Sequence, residues 1–134
     1  MMQSQNSKEE FIMLMDMVLI LCSVSSGSES INQELYASGY IEILPLLLQV
    51  KIPQIVINTM QTMGNFLGSN PKKHYPLLDR CDFKNQIEIF LEKNGNVLVQ
   101  SEVCRWLAFL MSNYCIGNDK VPNIVSPSVA IYDF

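Results

Sequence analysis

The chain is short of charge, has one histidine and one tryptophan, and lacks any closely spaced cysteine pair, and each shortage removes a class of protein. Charged residues make up 16% of 134 positions, with nine Lys and Arg against thirteen Asp and Glu, a formal balance of −4. A phosphate-binding surface needs clustered cations, and the only adjacent basic pair is Lys72-Lys73, so no nucleic-acid partner is expected. Cys22, Cys81, Cys104 and Cys115 are too far apart for a C-x-x-C metal or redox pair, and no N-x-S/T glycosylation acceptor occurs. Reduced thiols in an intracellular protein follow as the expectation. His74 stands beside Lys72, Lys73 and Tyr75 in a loop-like stretch with no second ligand at metal spacing, so it is expected at the surface and no metal is expected. With no G-x-S-x-G, no Gly-rich phosphate loop and only a distant histidine for Cys104 or Cys115, the pattern points to a binding protein without a cofactor rather than an enzyme. Long apolar runs are absent too. The run from Phe11 to Val24, with Lys8 ahead of it, has the outline of a signal peptide, but Glu9 and Glu10 precede it and Asp16 interrupts it. It is also too short to span a bilayer, so a buried helix and no membrane contact are expected.

What is present is an apolar fraction of 49%, enough for one domain with a real core. It is organised as an internal repeat. Leu35, Gly39, Ile41, Leu47 and Leu48 map by a shift of 42 onto Leu77, Cys81, Phe83, Ile89 and Phe90. Ile55, Val56, Met60, Met63 and Asn65 map by a shift of 48 onto Val103, Cys104, Ala108, Met111 and Asn113. The six extra residues fall around 92–96, where Asn94-Gly95-Asn96 is turn chemistry. A period between forty and fifty, made of a short, a medium and a long helix, is the armadillo/HEAT signature.

The expected helices run from about 8 to 24, 28 to 38, 40 to 50, 53 to 68, 73 to 80, 82 to 93 and 97 to 116, with Pro53 near a start and Gly27, Gly68 and Gly117 as caps just past ends. The fold expected is all-α, a right-handed superhelical solenoid of about three repeats, partial at both ends: 1–7 disordered, 8–27 a partial repeat, 28–68 and 69–117 repeats, and 118–134 the start of another. Two faces recur on the long helices. Val56, Met60, Met63 and Leu67 form a core stripe, while Gln54, Asn58, Gln61 and Asn65 form a row of amides. The matching row in the last long helix is Glu102, Trp106 with Arg105 beside it, Phe109 and Asn113. Stacked repeats would align these rows into one concave groove suited to an extended peptide. Trp106 and Phe109, on adjacent turns, fit a core position equally well, and Met111 and Tyr114 are expected in the core.

These residues resemble the importin-alpha family, whose third helices carry the pattern W-A-L-x-N-I-A-x-G. Residues 62–68 (Thr-Met-Gly-Asn-Phe-Leu-Gly) and 109–115 (Phe-Leu-Met-Ser-Asn-Tyr-Cys) look like two copies, and 24–29 with 37–41 look like the family's I-A-S-G-T-S and G-G-A-I stretches. The resemblance covers roughly 15–120 and fits the second to fourth of the family's ten repeats. It implies that Asn65 and Asn113 bond the backbone of an extended, Lys/Arg-rich nuclear localisation signal, that Phe109 stacks on a Lys stem, and that the carbonyl of Gly27 helps hold the key Lys. Arg105 matches a basic residue of the fourth repeat. The chain departs from the family at the Trp positions Leu19 and Gln61, at Ser23 for Asn, and at Ser69 for an acidic residue. No basic segment for docking on importin-beta is visible, Lys8 being the one cation of the first ten residues. Two functions follow: an import receptor of cytoplasm and nucleus for basic peptides or cargo, or a degenerate scaffold packing into a larger protein assembly. Open repeat ends also predict self-association or dependence on a partner, with Met13 to Leu21 at one contact surface.

Overall fold

A computed structural model of the chain describes the backbone of residues 2–118 and the side chains of residues 8–118. The elements in order are α1 (Met2–Ser25), α2 (Glu29–Ala37), a 3-10 turn (Tyr40–Ile43), α3 (Leu44–Gln49), α4 (Pro53–Ser69), α5 (Pro71–His74), α6 (Pro76–Arg80), α7 (Phe83–Lys93) and α8 (Val97–Asn118). Among the described residues the fold is all-helical, without a strand. After α1, shorter helices precede a long one twice, α2 and α3 before α4 and α5 to α7 before α8. Helix α1 starts at Met2, inside the stretch expected to be disordered, and the expected further repeat at 119–134 lies outside the described residues.

Local chemistry fixes the boundaries. The Ser28 hydroxyl caps α2 by accepting from the Ile31 amide at 3.4 Å. Asn70 ends α4 and starts α5, its side chain accepting from the Lys73 amide at 3.3 Å, and Asn96 accepts from the Val99 amide at 3.1 Å to open α8. Prolines subdivide two helices expected to be continuous. Pro45, which has no N–H to give, leaves Tyr40–Ile43 as a 3-10 turn ahead of α3, and Pro76 separates α5 from α6.

Helix α4 is the centre, with α1 packed on one side and α8 on the other. Its stripe of Val56, Met60, Met63 and Leu67 is fully buried, as its spacing requires, together with Ile55 and Phe66. Leu44, Leu47 and Leu48 of α3 and Phe83, Ile87 and Phe90 of α7 complete the core. Each such side chain contributes about 1.5–3 kcal/mol on removal from water. Thr59 and Thr62 are buried as well, and their hydroxyls donate back to Ile55 O at 2.6 Å and Asn58 O at 2.9 Å. Between α3 and α7, Lys51 sits in the left-handed region at φ 63° and donates to Leu48 O at 3.0 Å and to Gln86. Burial lowers its pKa, Lys93 adds to that, and Asp82 opposes it.

Three expectations are corrected. Gly68 and Gly117 lie inside α4 and α8 rather than past their ends, and the left-handed glycine is Gly39, at φ 85°, which opens the 3-10 turn. Gly117 serves close approach: a Cβ there would lie 2.7 Å from the Pro71 carbonyl carbon and 2.8 Å from Tyr75 Cβ. His74, expected at the surface, is 0% exposed. Its Nε2 meets Glu29 Oε1 at 3.0 Å and its ring packs on Tyr36 and Phe66, which ties α5 to α2 and α4. Its place beside Lys72, Lys73 and Tyr75 gave no sign of this, because the partner Glu29 is 45 residues away.

Candidate functional site

The residues of interest lie on the two flanks of α4. On the α8 flank, Gly64 and Gly68 are one turn apart and leave a strip of bare backbone. Phe109 of α8 covers it, with ring atoms 3.2 Å from where a Gly64 Cβ would stand and 3.4 Å from a Gly68 Cβ. Trp106, a turn earlier, reaches the same Gly64 position at 3.2 Å and meets Phe109 edge to face at 5.9 Å between centroids. Phe109 is still 44% exposed, whereas Trp106 is half-buried. The Trp106 indole N–H donates to Glu102 Oε1 at 3.3 Å, and Glu102 Oε2 pairs with Arg105 at 3.1 Å. The row expected on α8 is therefore one contiguous set, Glu102 with Trp106 and Arg105, then Phe109, then Asn113. The aromatics in it are helix-packing groups first and surface second.

The amides of α4 turn the other way, towards α1. The Asn65 amide donates to Cys22 O at 3.0 Å and to Ser25 Oγ at 3.1 Å. Cys22 O is one of the last-turn carbonyls of α1, which have no backbone N–H partner within their own helix, so Asn65 acts as a C-terminal cap delivered from the next long helix. The Ser25 hydroxyl donates to the same carbonyl at 3.1 Å. Gln61, a turn earlier, accepts from the Cys22 thiol at 3.7 Å. Asn58 was expected to line the open groove and does not: it is 4% exposed, its Oδ1 takes the Gln54 amide at 3.2 Å, and its own Nδ2 has no partner.

Asn113 donates to Phe109 O at 3.0 Å in its own helix, spending one of its two amide hydrogens. Gly27 is exposed in the turn after α1, its N–H bonded to Val24 O at 3.1 Å. Asn65 and Asn113 are thus on α4 and α8 as their spacing requires, but their donors point to different neighbours. Ser69, the position of the missing acid, donates to Phe66 O at 2.8 Å and accepts from Asn32 at 3.3 Å.

Two groups outside the expected row carry perturbed chemistry. Burial pushes the Cys81 thiol up to about 12, with Arg80 opposing, which leaves it a core side chain and not a nucleophile. For the Tyr114 hydroxyl, burial and then its bonds to both Asp79 oxygens at 3.1 Å raise the pKa and join α8 to α6. Among the described residues no three His, Cys, Asp or Glu side chains gather as a metal set, and no helix is long and apolar enough to cross a membrane.

Comparison of the chain with protein-family models, with curated proteins and with solved structures finds no match.

Proposed function

We propose that the chain is a degenerate armadillo-type scaffold, of importin-alpha descent, that binds a protein partner without clamping an extended basic signal peptide. The observation that carries this is the geometry of Asn65. Both amide hydrogens are spent on the end of α1, whereas peptide recognition requires them for the ligand backbone. Redirecting them would cost about 1 kcal/mol for each bond given up. The absent indoles at Leu19 and Gln61 forfeit a further ~0.5–2 kcal/mol each in Lys stacking. Together these weaken a basic peptide by a factor of order 10² or more.

A second reading, an import receptor of cytoplasm and nucleus for basic cargo, is favoured by Phe109. It keeps nearly half its surface open beside Asn113, which has an amide hydrogen to spare. Fluorescence polarisation with an extended Lys/Arg-rich peptide and a charge-scrambled control separates the two. The scaffold reading expects both peptides to bind equally poorly, and expects the triple variant Leu19→Trp, Gln61→Trp, Ser69→Asp to recover charge-selective binding only in part. Tight binding of the basic peptide by the unaltered chain, lost on Asn65→Ala and Asn113→Ala, would transfer the conclusion to the receptor reading.

A further inference from the structure

Helix α1 presents an apolar stripe to solvent where α4 presents its stripe to the core. Met17, Ile20 and Val24, spaced at three and four residues, form one wall of a groove of about 450 Å³, and Leu35 of α2 with Tyr40 and Ile43 of the 3-10 turn form the other. The groove is open: Ile20 and Tyr40 are each 62% exposed, and nothing stands within 4 Å of a Cβ built at Gly39 on its floor. Met17 to Val24 covers about two helical turns, and Met13, 62% exposed, continues the stripe by another.

Its electrostatics are one-sided. The first fifty residues hold Glu9, Glu10, Asp16, Glu29, Glu34 and Glu42 against the single cation Lys8. Glu29 is turned to His74, and Arg80 is paired with Glu42. Asp16, one turn before Ile20 on α1, and Glu34, beside Leu35 on α2, stay exposed at the groove's rim. We propose that this groove docks an amphipathic helix with an apolar stripe and Lys or Arg along its margins. This gives the scaffold function proposed above its partner, and it rests on that reading.

A helix fits where an extended chain does not. Apart from Tyr40 the walls are aliphatic and methionine side chains, so an extended peptide would bury most of its backbone N–H and C=O groups with nothing to bond, while a helix satisfies its own. The three-and-four spacing of Met17, Ile20 and Val24 forms a ridge that interlocks with a second helix. Methionine at positions 13 and 17 lets the wall adapt to differing side chains. Asp16 and Glu34 then meet cations at the margin and speed encounter, an effect that salt screens. Residues 119–134 carry two acids and one Lys, so this chain's own tail offers no cationic margin.

The test uses the full chain and two labelled helical peptides with identical Leu stripes, one with Lys and the other with Glu on the polar face. The Leu/Lys helix is expected to bind about tenfold more tightly or better, with affinity falling as salt rises. Ile20→Glu, at an exposed position, should weaken it by about tenfold, and Glu34→Lys should weaken it and flatten the salt dependence. Leu98→Glu, on the far helix α8 and also exposed, should change nothing. Equal binding of both peptides, or indifference to Ile20→Glu, overturns the proposal. So does a chain that dimerises through this face, seen in sedimentation as a dimer that Ile20→Glu converts to monomer while neither peptide binds. A proline-containing extended Lys/Arg peptide, run in parallel, reports on the scaffold reading separately: binding that depends on Asn113 and Phe109 but not on Ile20 would defeat that reading and leave the groove question to the helical pair.

Discussion

The contact between α8 and α5 makes Gly117 the least replaceable glycine of the chain. An added methyl group would stand 2.7 Å from the Pro71 carbonyl carbon, 2.8 Å from Tyr75 Cβ, and closer still to the Pro71 oxygen. These are backbone and near-backbone atoms, so no rotamer change relieves them and the end of α8 must lift off α5. Overpacking of this kind costs about 1–3 kcal/mol or somewhat more, against a gain of up to ~1 kcal/mol from replacing a helical glycine by alanine. Gly117→Ala should therefore destabilise by about 2 kcal/mol, which for a chain of this length lowers Tm by roughly 7 °C. Gly68→Ala is the internal control. Its methyl would rest 3.4 Å from the Phe109 ring, an ordinary contact, and the residue is exposed, so the propensity gain should survive as a Tm equal to or slightly above the parent's. Thermal unfolding followed by circular dichroism at 222 nm measures both. Equal Tm values for the two variants would show that α8 does not close on α5, and the packing of the last long helix would have to be redrawn.

Further outcomes follow from other contacts. Asn65→Ala removes the cap on α1 and should cost about 1–2 kcal/mol in urea unfolding, with faster hydrogen exchange confined to the last turn of α1 and its contact with α4. Partial burial raises the Glu29 pKa, but Ser69 and His74 beside the carboxyl outweigh it, so the net effect holds the group below its ordinary value. A carboxyl held low in the folded state stabilises above its unfolded pKa and loses that contribution as pH falls through the folded value. Glu29→Gln should accordingly flatten the drop in Tm between about pH 5 and pH 3. Cys104 is exposed and Cys81 is buried with its pKa near 12, so a disulfide reagent should modify Cys104 in the native chain, and reaction at Cys81 should track global unfolding.

Several features of this protein are properties of the sequence alone. The helical periods of the long segments, Pro53 at a helix start, Asn96 before α8 and the stripe Val56, Met60, Met63, Leu67 all depend on near neighbours, and each appears where its spacing puts it. The all-helical class was legible for the same reason, from apolar positions at helical spacing. What only the tertiary structure decided was the use of side chains that suit two environments. Asn65 has the same spacing whether its amide holds a peptide or caps α1, and Cys22 O, 43 residues away, settles which. His74 beside two lysines has a polar local context, yet Glu29, Tyr36 and Phe66 enclose it from other helices. Gly117 satisfies the composition of a helix end but serves a helix contact, because a glycine's missing Cβ suits a turn and a close approach equally well. The stripes of α1 and α4 are alike in apolar content, and burial separates them because, among the described residues, α4 has a long helix on each side while α1 has one only on the side of α4.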